Sequence, residues 1–113
     1  MRKRMTHSHA TLQELRNTPK LDRPDALEQI VIREFKESLL MSEDEDFPLS
    51  ESFFDLGLTS LRVTEVKQRL EEFLDCSISA NVLFNSPTVE LMLTYLMTEV
   101  LTDLFGEASD ARQ

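Results

Sequence analysis

The stretch Phe53-Phe-Asp-Leu-Gly-Leu-Thr-Ser-Leu61 lies between an acidic loop and a segment with a regular apolar stripe. Gly57 predicts a turn, after which Thr59 or Ser60 suits the N-cap of a helix. At such a helix start the first backbone N–H groups are free, and the helix dipole favours negative charge. Ser60 is therefore either a capping residue only or a place that could carry a phosphodiester, and the residues alone favour the cap.

Helical spacing of apolar residues on both sides of this stretch predicts an all-α protein. We expect helices over residues 24–40, 60–75, 80–85 and 87–104. The last of them should have Ser86 as its N-cap and end at Gly106. Residues 42–59 hold four consecutive acids and a proline, which predicts a long loop held by apolar anchors. The fold class is a small helical bundle with three main helices, one short helix and a long first loop.

The length and the charge of the chain limit the classes of protein to which it can belong. It has 113 residues, a single-domain length, and its 41% of hydrophobic residues suffice for one modest core. The 12 Lys and Arg face 21 Asp and Glu, giving a net charge of −9, and the body after residue 23 is strongly acidic. This acidic charge argues against binding of nucleic acid and favours basic proteins as partners, although the charge can also serve only to keep the protein soluble. One cysteine excludes an internal disulfide, and no apolar run approaches the ~20 residues of a membrane span.

Charge and hydropathy divide the chain into three segments. We predict a basic, mostly disordered N-terminal arm over residues 1–22, one folded domain over 23–105 and a flexible tail over 106–113. The spacing of Thr11 and Glu14 allows a helix of a few residues in the N-terminal arm, but isolated helices that short are marginal in water. The N-terminal arm has no apolar core of a secretory signal, so we expect a cytoplasmic protein. We also expect a monomer that does not bind membranes.

Side chains that serve in catalysis are sparse. His7 and His9 both lie in the N-terminal arm, where such a pair is more often solvated than metal-bound. Without a rigid histidine beside it, Ser60 lacks the base of a serine hydrolase, so we predict neither an enzyme nor a metal site. The acidic run 43–46 lacks the spacing of a calcium loop and is interpreted as solvated. Cys76 has no basic neighbour to lower its pKa and is interpreted as an inert thiol.

The stretch quoted first closely resembles the attachment motif of acyl and peptidyl carrier proteins. In that family the serine of the pattern Asp-Leu-Gly-x-x-Ser-Leu carries phosphopantetheine, and here that serine is Ser60. The other matching residues are Asp55, Leu56, Gly57 and Leu61. Residues 64–72 look like the second helix of the family, and 78–89 look like its third-helix segment with Pro-Thr-Val. The resemblance covers about residues 24–101 and implies a carrier-type bundle with covalent phosphopantetheine on Ser60.

The resemblance implies a carrier without catalytic activity of its own, which holds acyl or aminoacyl groups as thioesters and presents them to other enzymes. The implied partners are a phosphopantetheinyl transferase, an acyltransferase or adenylation enzyme, and a ketosynthase or condensation enzyme. Candidates for the surface that these partners recognise are Leu58, Thr59, Arg62, Val63 and Glu65. Acidic residues around the site would steer basic partner surfaces.

Two differences from the attachment motifs of other carriers indicate which kind of biosynthetic pathway the resemblance implies. Fatty-acid carriers usually have Asp before the serine and an acid soon after it, whereas Thr59 and Arg62 occupy these places here. Peptidyl carriers often show Gly-Gly-His-Ser, which this chain lacks. The sequence therefore fits best a discrete carrier of polyketide or mixed peptide–polyketide biosynthesis, as in the production of antibiotics. The alternative is an unmodified helical adaptor or regulatory module with the carrier fold.

The last predicted helix has more apolar residues than one buried stripe requires. The stripe runs from Val89 to Leu104. The surplus residues on its other sides are Leu91, Met97, Leu101 and Phe105. They either pack within this chain, the interpretation that we favour, or form a partner or dimer surface.

Overall fold

The structure is a computed structural model that describes residues 11–105. Over this range it contains helices and turns but no strand, so the predicted all-α class is confirmed. The helices in chain order are α1 (11–17), α2 (Arg23–Leu39), α3 (Ser60–Leu74), α4 (Ala80–Asn85), α5 (Val89–Tyr95) and α6, described over residues 102–105. A 3₁₀ turn, Lys20–Asp22, precedes α2, and a π-helical turn, Leu96–Val100, continues α5.

The two longest of these helices, α2 and α3, form the centre of the bundle. Pro24 lies in the first turn of α2, where its missing N–H leaves no hydrogen bond unmade. The buried apolar residues of α2 are Leu27, Ile30, Val31 and Phe35. Those of α3 are Val63, Val66, Leu70 and Leu74. Both sets follow helical spacing, and both predicted ranges agree with the structure to within one residue at each end.

An ion pair between a buried carboxylate and a partly exposed arginine joins α2 to α3. Glu34 lies on the apolar face of α2 with 4% of its surface exposed, and its Oε1 accepts a 2.8 Å hydrogen bond from Arg69 Nε. This pair was not predicted from the sequence. The sequence feature that indicates it is the position of Glu34, which falls in the i, i+3, i+4 series of the buried face of α2. A carboxylate at a buried position requires a partner.

The long loop between α2 and α3 lies on the core, as predicted. The Phe53 ring is fully buried and stacks on the ring of Phe35, with centroids 4.4 Å apart and planes inclined by 17°. Phe47 packs on Phe35 as well, at a centroid distance of 6.0 Å. These aromatic contacts hold the loop against α2, so the segment that leads into α3 has a fixed position.

The start of α5 differs from the prediction of a helix from Pro87 capped by Ser86. Thr88 is the N-cap, because its Oγ1 accepts a 3.1 Å hydrogen bond from the N–H of Leu91. The carbonyl of Pro87, which a helix beginning there would direct to Leu91, instead accepts a 2.7 Å hydrogen bond from the N–H of Phe53. A contact with the distant loop therefore delays the helix start by two residues.

The structure places α1 in the segment predicted as a mostly disordered N-terminal arm. Leu15 of α1 is 1% exposed and belongs to the same core cluster as Leu104. Leu15 therefore joins α1 to the core, and this packing stabilises α1 beyond what local sequence supplies. Residues 1–10 lie outside the described part of the chain, and the domain boundary at residue 23 stays a prediction.

Arg23 holds α1 to the rest of the bundle. Its guanidinium donates hydrogen bonds of 2.7, 2.9 and 2.8 Å to the backbone carbonyls of Arg16, Thr18 and Leu104. We call this arrangement the Arg23 clamp. It places a cation beside the carbonyls at the end of α1, where the negative end of the helix dipole favours positive charge. The clamp thus joins the first and the last helical segments of residues 11–105.

The surplus apolar residues of α5 and of the segment after it mostly pack within the chain. Leu101 is 4% exposed, and Met97 and Phe105 pack partly against the core. Leu91 differs from them, because 49% of its surface is exposed. The favoured interpretation, packing within the chain, therefore holds for all of the surplus residues except Leu91.

No helix within residues 11–105 combines the length and the hydropathy that crossing a bilayer requires. His7 and His9, the predicted stop at Gly106 and the predicted tail over 106–113 lie outside the described residues.

Candidate functional site

Residues 53–58 form a closed turn ahead of α3. The N–H of Leu58 donates to the carbonyl of Phe53 at 3.1 Å, and the N–H of Gly57 donates to the carbonyl of Phe54 at 3.1 Å. Because Phe53 is packed against Phe35, these bonds tie the turn to the core. The backbone that enters α3 therefore begins from a fixed point.

Gly57 meets the conformational demand of this turn. Its φ of +110° lies in a region that L side chains rarely adopt. A Cβ atom added here would meet Leu39 Cδ2 at 3.9 Å, which is ordinary van der Waals contact. The backbone conformation, and not a lack of space, therefore requires glycine, in agreement with the turn predicted at this position.

The cap of α3 is Thr59 and not Ser60. Thr59 has an extended backbone, and its Oγ1 accepts a 3.2 Å hydrogen bond from the N–H of Arg62. Ser60 is the first residue of α3, is exposed, and makes no hydrogen bond through its hydroxyl to any other residue in the range 11–105. The capping role that the residues alone left between the two thus belongs to Thr59, and the Ser60 hydroxyl is free.

The surroundings of Ser60 favour a negative group. Thr59 uses its side chain for the N–H of Arg62 and its carbonyl, at 3.0 Å, for that of Val63. This leaves the N–H groups of Ser60 and Leu61 without intrahelical partners at the positive end of a 15-residue helix. The first turn of α3 contains no acidic residue. An exposed hydroxyl beside free backbone donors is suited to a phosphate ester.

Two residues predicted for the partner surface lie in the core instead. Leu58 is 4% exposed and Val63 is 0% exposed, so neither side chain has surface that a partner could contact. This corrects the prediction for both residues. The exposed apolar side chain next to Ser60 is that of Leu61, with 67% of its surface accessible.

The remaining predicted site residues lie at or near the surface. Thr59, Arg62 and Asp55 are exposed, whereas Glu65 is partly buried. Arg62 and Glu65 form an ion pair with 3.9 Å between Nη1 and Oε1. Leu56 packs partly against the core. The surface around Ser60 therefore combines one apolar side chain with charges of both signs.

Two phenylalanines that the sequence pattern did not pair come together near this site. Phe54 follows Phe53 in the turn, and Phe84 belongs to α4. Their ring centroids are 6.0 Å apart with planes inclined by 29°, and each residue is 37% exposed. The available signal was the pair Phe53-Phe54, since two consecutive residues of a tight turn rarely both enter the core.

Glu71 fixes the connection between α3 and α4. Its Oε2 accepts a 2.8 Å hydrogen bond from the N–H of Ile78 and a 3.2 Å hydrogen bond from Lys67 Nζ. The bond from Ile78 is the largest influence on the pKa of Glu71 and lowers it; burial opposes this effect and Lys67 adds to it. The carboxylate therefore stays charged through neutral pH and holds the segment that leads into α4.

Cys76 follows α3 and is half-buried. Burial raises the pKa of its thiol to about 11, and the carboxylates of Glu71 and Asp75 contribute in the same direction. At neutral pH the thiol is protonated and is a poor nucleophile, in agreement with the interpretation as an inert thiol.

The reactivity of Cys76 tests this assignment. We expect iodoacetamide at pH 7.5 to alkylate Cys76 on the order of a hundredfold more slowly in the folded protein than in the same protein in 6 M urea, because the thiolate fraction is that much smaller. Intact-mass spectrometry over time gives both rates, and free cysteine serves as the reference. Equal rates in the two conditions would contradict the burial and the raised pKa.

The residues in the range 11–105 bring no three His, Cys, Asp or Glu side chains together in a way that could hold a metal ion. The acidic run 43–46 is exposed, and Lys36 Nζ donates a 3.1 Å hydrogen bond to the backbone carbonyl of Glu43 at its start.

Comparison with known proteins identifies relatives that are similar to part of this sequence. Over 48 residues the chain is 40% identical to a phenolphthiocerol/phthiocerol polyketide synthase subunit of Mycobacterium tuberculosis and to the protein of the same name in Mycobacterium bovis. The matched segment is 42% of this chain but only 3% of those relatives. No solved structure matches the chain significantly.

A family model described as the phosphopantetheine attachment site matches residues 27–96, well over half of the chain. The match includes the turn, Ser60, and helices α3 and α4. The free hydroxyl of Ser60 and the unpaired backbone donors beside it fit a group attached through a phosphate. The chain therefore belongs to the family of phosphopantetheine attachment domains and carries that group covalently.

Proposed function

We propose that Ser60 is the residue that carries phosphopantetheine, and that the domain presents acyl or aminoacyl groups to the enzymes of a polyketide or mixed peptide–polyketide pathway. The observation that carries this proposal is the exposed, unbonded hydroxyl of Ser60 at the first residue of α3, beyond the cap supplied by Thr59. When bound, the prosthetic group supplies a terminal thiol that holds the transported group as a thioester.

In the proposed loading reaction, Ser60 Oγ forms a bond to the pantetheine-bearing phosphorus of coenzyme A, and 3′,5′-ADP leaves. The hydroxyl proton goes to a base of a phosphopantetheinyl transferase, because residues 11–105 include no histidine that could accept it. This chain positions the Ser60 hydroxyl for the reaction. Thr59 caps the helix, so that the Ser60 hydroxyl is not needed for the cap, and the turn tied to Phe53 holds the start of α3 in place.

The proposed pathway is based on the names of the relatives, which are polyketide synthase subunits. The proposed partners besides the transferase are an acyltransferase or adenylation enzyme and a ketosynthase or condensation enzyme. They would meet the surface of Leu61, Arg62 and Glu65 around the attachment point. Tethering makes each delivery effectively intramolecular, so the domain needs no catalytic group of its own.

Loading with coenzyme A tests the assignment of Ser60. We expect the intact mass of the wild-type chain to rise by one phosphopantetheine after incubation with a promiscuous transferase. The Ser60→Ala variant should show no gain, while Ser50→Ala, which removes an exposed serine of the loop that precedes α3, should gain as the wild type does.

Two results would overturn the proposal. One is an equal mass gain in Ser60→Ala, which would move the attachment point. The other is a wild-type protein that is folded by circular dichroism and gains nothing, which would favour the unmodified adaptor. Because the Cys76 thiol is protonated at neutral pH, a thiol reagent can report on the new thiol with little background.

A further inference from the structure

Helix α2 presents a second stripe of residues at helical spacing, on the side that faces solvent. Its members, including the C-cap residue, are Ala26, Gln29, Arg33, Glu37 and Leu40. At 3.6 residues per turn, all of them fall within about 40° of the direction of Arg33. Ala26 is partly buried and the other four residues are exposed. We call this stripe the outer face of α2, and a stripe of this form can pack against another helix.

The stability of a single chain does not explain Leu40. Its φ of +60° lies in the left-handed region, where the end of a helix usually has glycine. Its side chain gains nothing from the core, because 91% of the residue is exposed. A leucine with an unfavourable backbone conformation and no buried surface indicates a contact with another molecule.

Grooves on both sides of Gln29 and Arg33 give the outer face of α2 a shape that another helix can enter. The groove between α1 and α2 has a volume of about 220 Å³, and its apolar lining is Leu15, Ala26 and Ile30. The other groove, of about 330 Å³, extends along α2 to the start of the loop. The first groove has the volume of roughly seven water molecules, which accommodates a leucine side chain.

Arg33 and Glu37 carry opposite charges one helical turn apart, yet they do not pair with each other. Both are exposed, and neither forms an ion pair with any other residue in the range 11–105. A cation ahead of an anion is the less favourable order along a helix. If two copies of α2 pack antiparallel about a two-fold axis at the level of residue 35, the Arg33 of each copy faces the Glu37 of the other. The outer face of α2 is therefore complementary in charge to a second copy of itself.

The same register brings Leu40 to a groove. Leu40 lies five residues after the axis and Ile30 lies five residues before it, so the Leu40 of one copy meets the groove between α1 and α2 of the other. The exposed acidic run 43–46 of the first copy then lies near the start of α2 of the second copy. The segment ahead of that start carries the exposed cations Arg16 and Lys20. One arrangement thus accounts for the exposed leucine and for the charges of both signs.

We infer that the outer face of α2 is the interface of a homodimer in which two copies pack antiparallel about a two-fold axis. This dimer replaces the monomer expected from the sequence. The 17 residues of α2 make it about 25 Å long. Two strips of this length and of the width of a helix bury on the order of 1,000 Å² in total, the low end for specific association, so we expect a dissociation constant of about 10–100 μM. Ser60 belongs to α3 and lies outside the interface, so both copies can be loaded.

Sedimentation equilibrium of the full chain measures this association. Concentrations from about 5 to 500 μM span the expected dissociation constant. A reducing buffer excludes a disulfide between the Cys76 residues of two copies. We expect the average mass to rise with concentration from that of one chain toward that of two. The mass of a single chain over the whole range would overturn the inference.

Exchanging the two charges tests the antiparallel register. Arg33→Glu places like charges opposite each other twice in the dimer, and so does Glu37→Arg. Each variant should therefore weaken association by at least about tenfold. The double variant Arg33→Glu/Glu37→Arg restores both opposite-charge contacts across the axis and should associate within about threefold of the wild type. A double variant that is as weak as the single ones would show that these residues do not face each other.

Leu40→Gly separates association from folding. Glycine adopts the conformation of this residue without strain, so the variant should resist urea at least as well as the wild type. It lacks the side chain that enters the groove of the other copy, and we expect it to associate about tenfold more weakly. Leu91→Ala removes another exposed leucine, 49% exposed on α5, and should associate as the wild type does.

The comparison of these two variants is decisive for the position of the interface. If Leu91→Ala abolishes association and Leu40→Gly does not, the dimer uses another face and the inference is wrong. Loading with phosphopantetheine provides an independent readout, because Arg33→Glu should gain the same mass as the wild type. The proposed attachment at Ser60 and the proposed dimer can therefore each fail without the other.

Discussion

Replacing Phe53 with alanine is expected to lower the free energy of unfolding by about 3–5 kcal/mol, the range for truncating a fully buried aromatic residue. Phe53 has no exposed surface and stacks on Phe35 at 4.4 Å, so its removal leaves a cavity between the loop and α2. A domain of this size has about 5–15 kcal/mol of stability in total. Urea denaturation followed by circular dichroism measures the change.

The neighbouring residue provides the control for Phe53. Phe54→Ala removes the same ring from the next position of the turn, where 37% of the residue is already exposed. We expect a loss of about 1 kcal/mol or less for this variant. A Phe53→Ala protein that loses no more than Phe54→Ala would show that the loop is not held by the Phe35 stack.

Replacing Arg69 with methionine is expected to cost about 2 kcal/mol of folding free energy. The substitution removes the guanidinium that donates to Glu34 at 2.8 Å and leaves a carboxylate that is 4% exposed without that partner. Arg69 itself is 40% exposed along its side chain, which keeps the value below the full cost of breaking a buried pair. The shift of the midpoint of urea denaturation measures this loss, provided that the dependence of the free energy on urea concentration is unchanged.

Two comparisons test the explanation of that loss. Arg62→Met breaks an exposed pair with Glu65 at 3.9 Å and should cost less than about 0.5 kcal/mol. Glu34→Leu introduced into Arg69→Met replaces the stranded charge with an apolar side chain and should restore most of the stability. If the double variant is as unstable as Arg69→Met, the loss does not come from an unpaired carboxylate.

Local signals explain which parts of the fold could be predicted. The apolar period of α3 continues without interruption from Val63 to Leu74, and Thr59 and Gly57 mark its start, so its range was predicted almost to the residue. The same period also places Val63 in the core, next in the series to Val66. Val63 is close to Ser60 in the sequence, but this period directs its side chain into the core and away from a partner.

Long-range contacts explain what could not be predicted. The start of α5 depends on a bond from Phe53 to Pro87, which lie 34 positions apart and which no local pattern connects. Helix α1 is held to the core by Leu15 and by the Arg23 clamp, and neither contact is visible in the local sequence pattern. The Phe54–Phe84 pair likewise joins two elements whose relative position the sequence pattern does not give.

The Arg23 clamp has a consequence for the modularity of such domains. The segment that the family shares, residues 27–96, contains neither Arg23 nor the buried Leu15, Leu101 and Leu104. A cut at the family borders would therefore pass through the hydrophobic core and expose apolar surface on α2 and α5. The unit that keeps this core intact is therefore larger than the family match and includes at least the residues from Leu15 to Leu104.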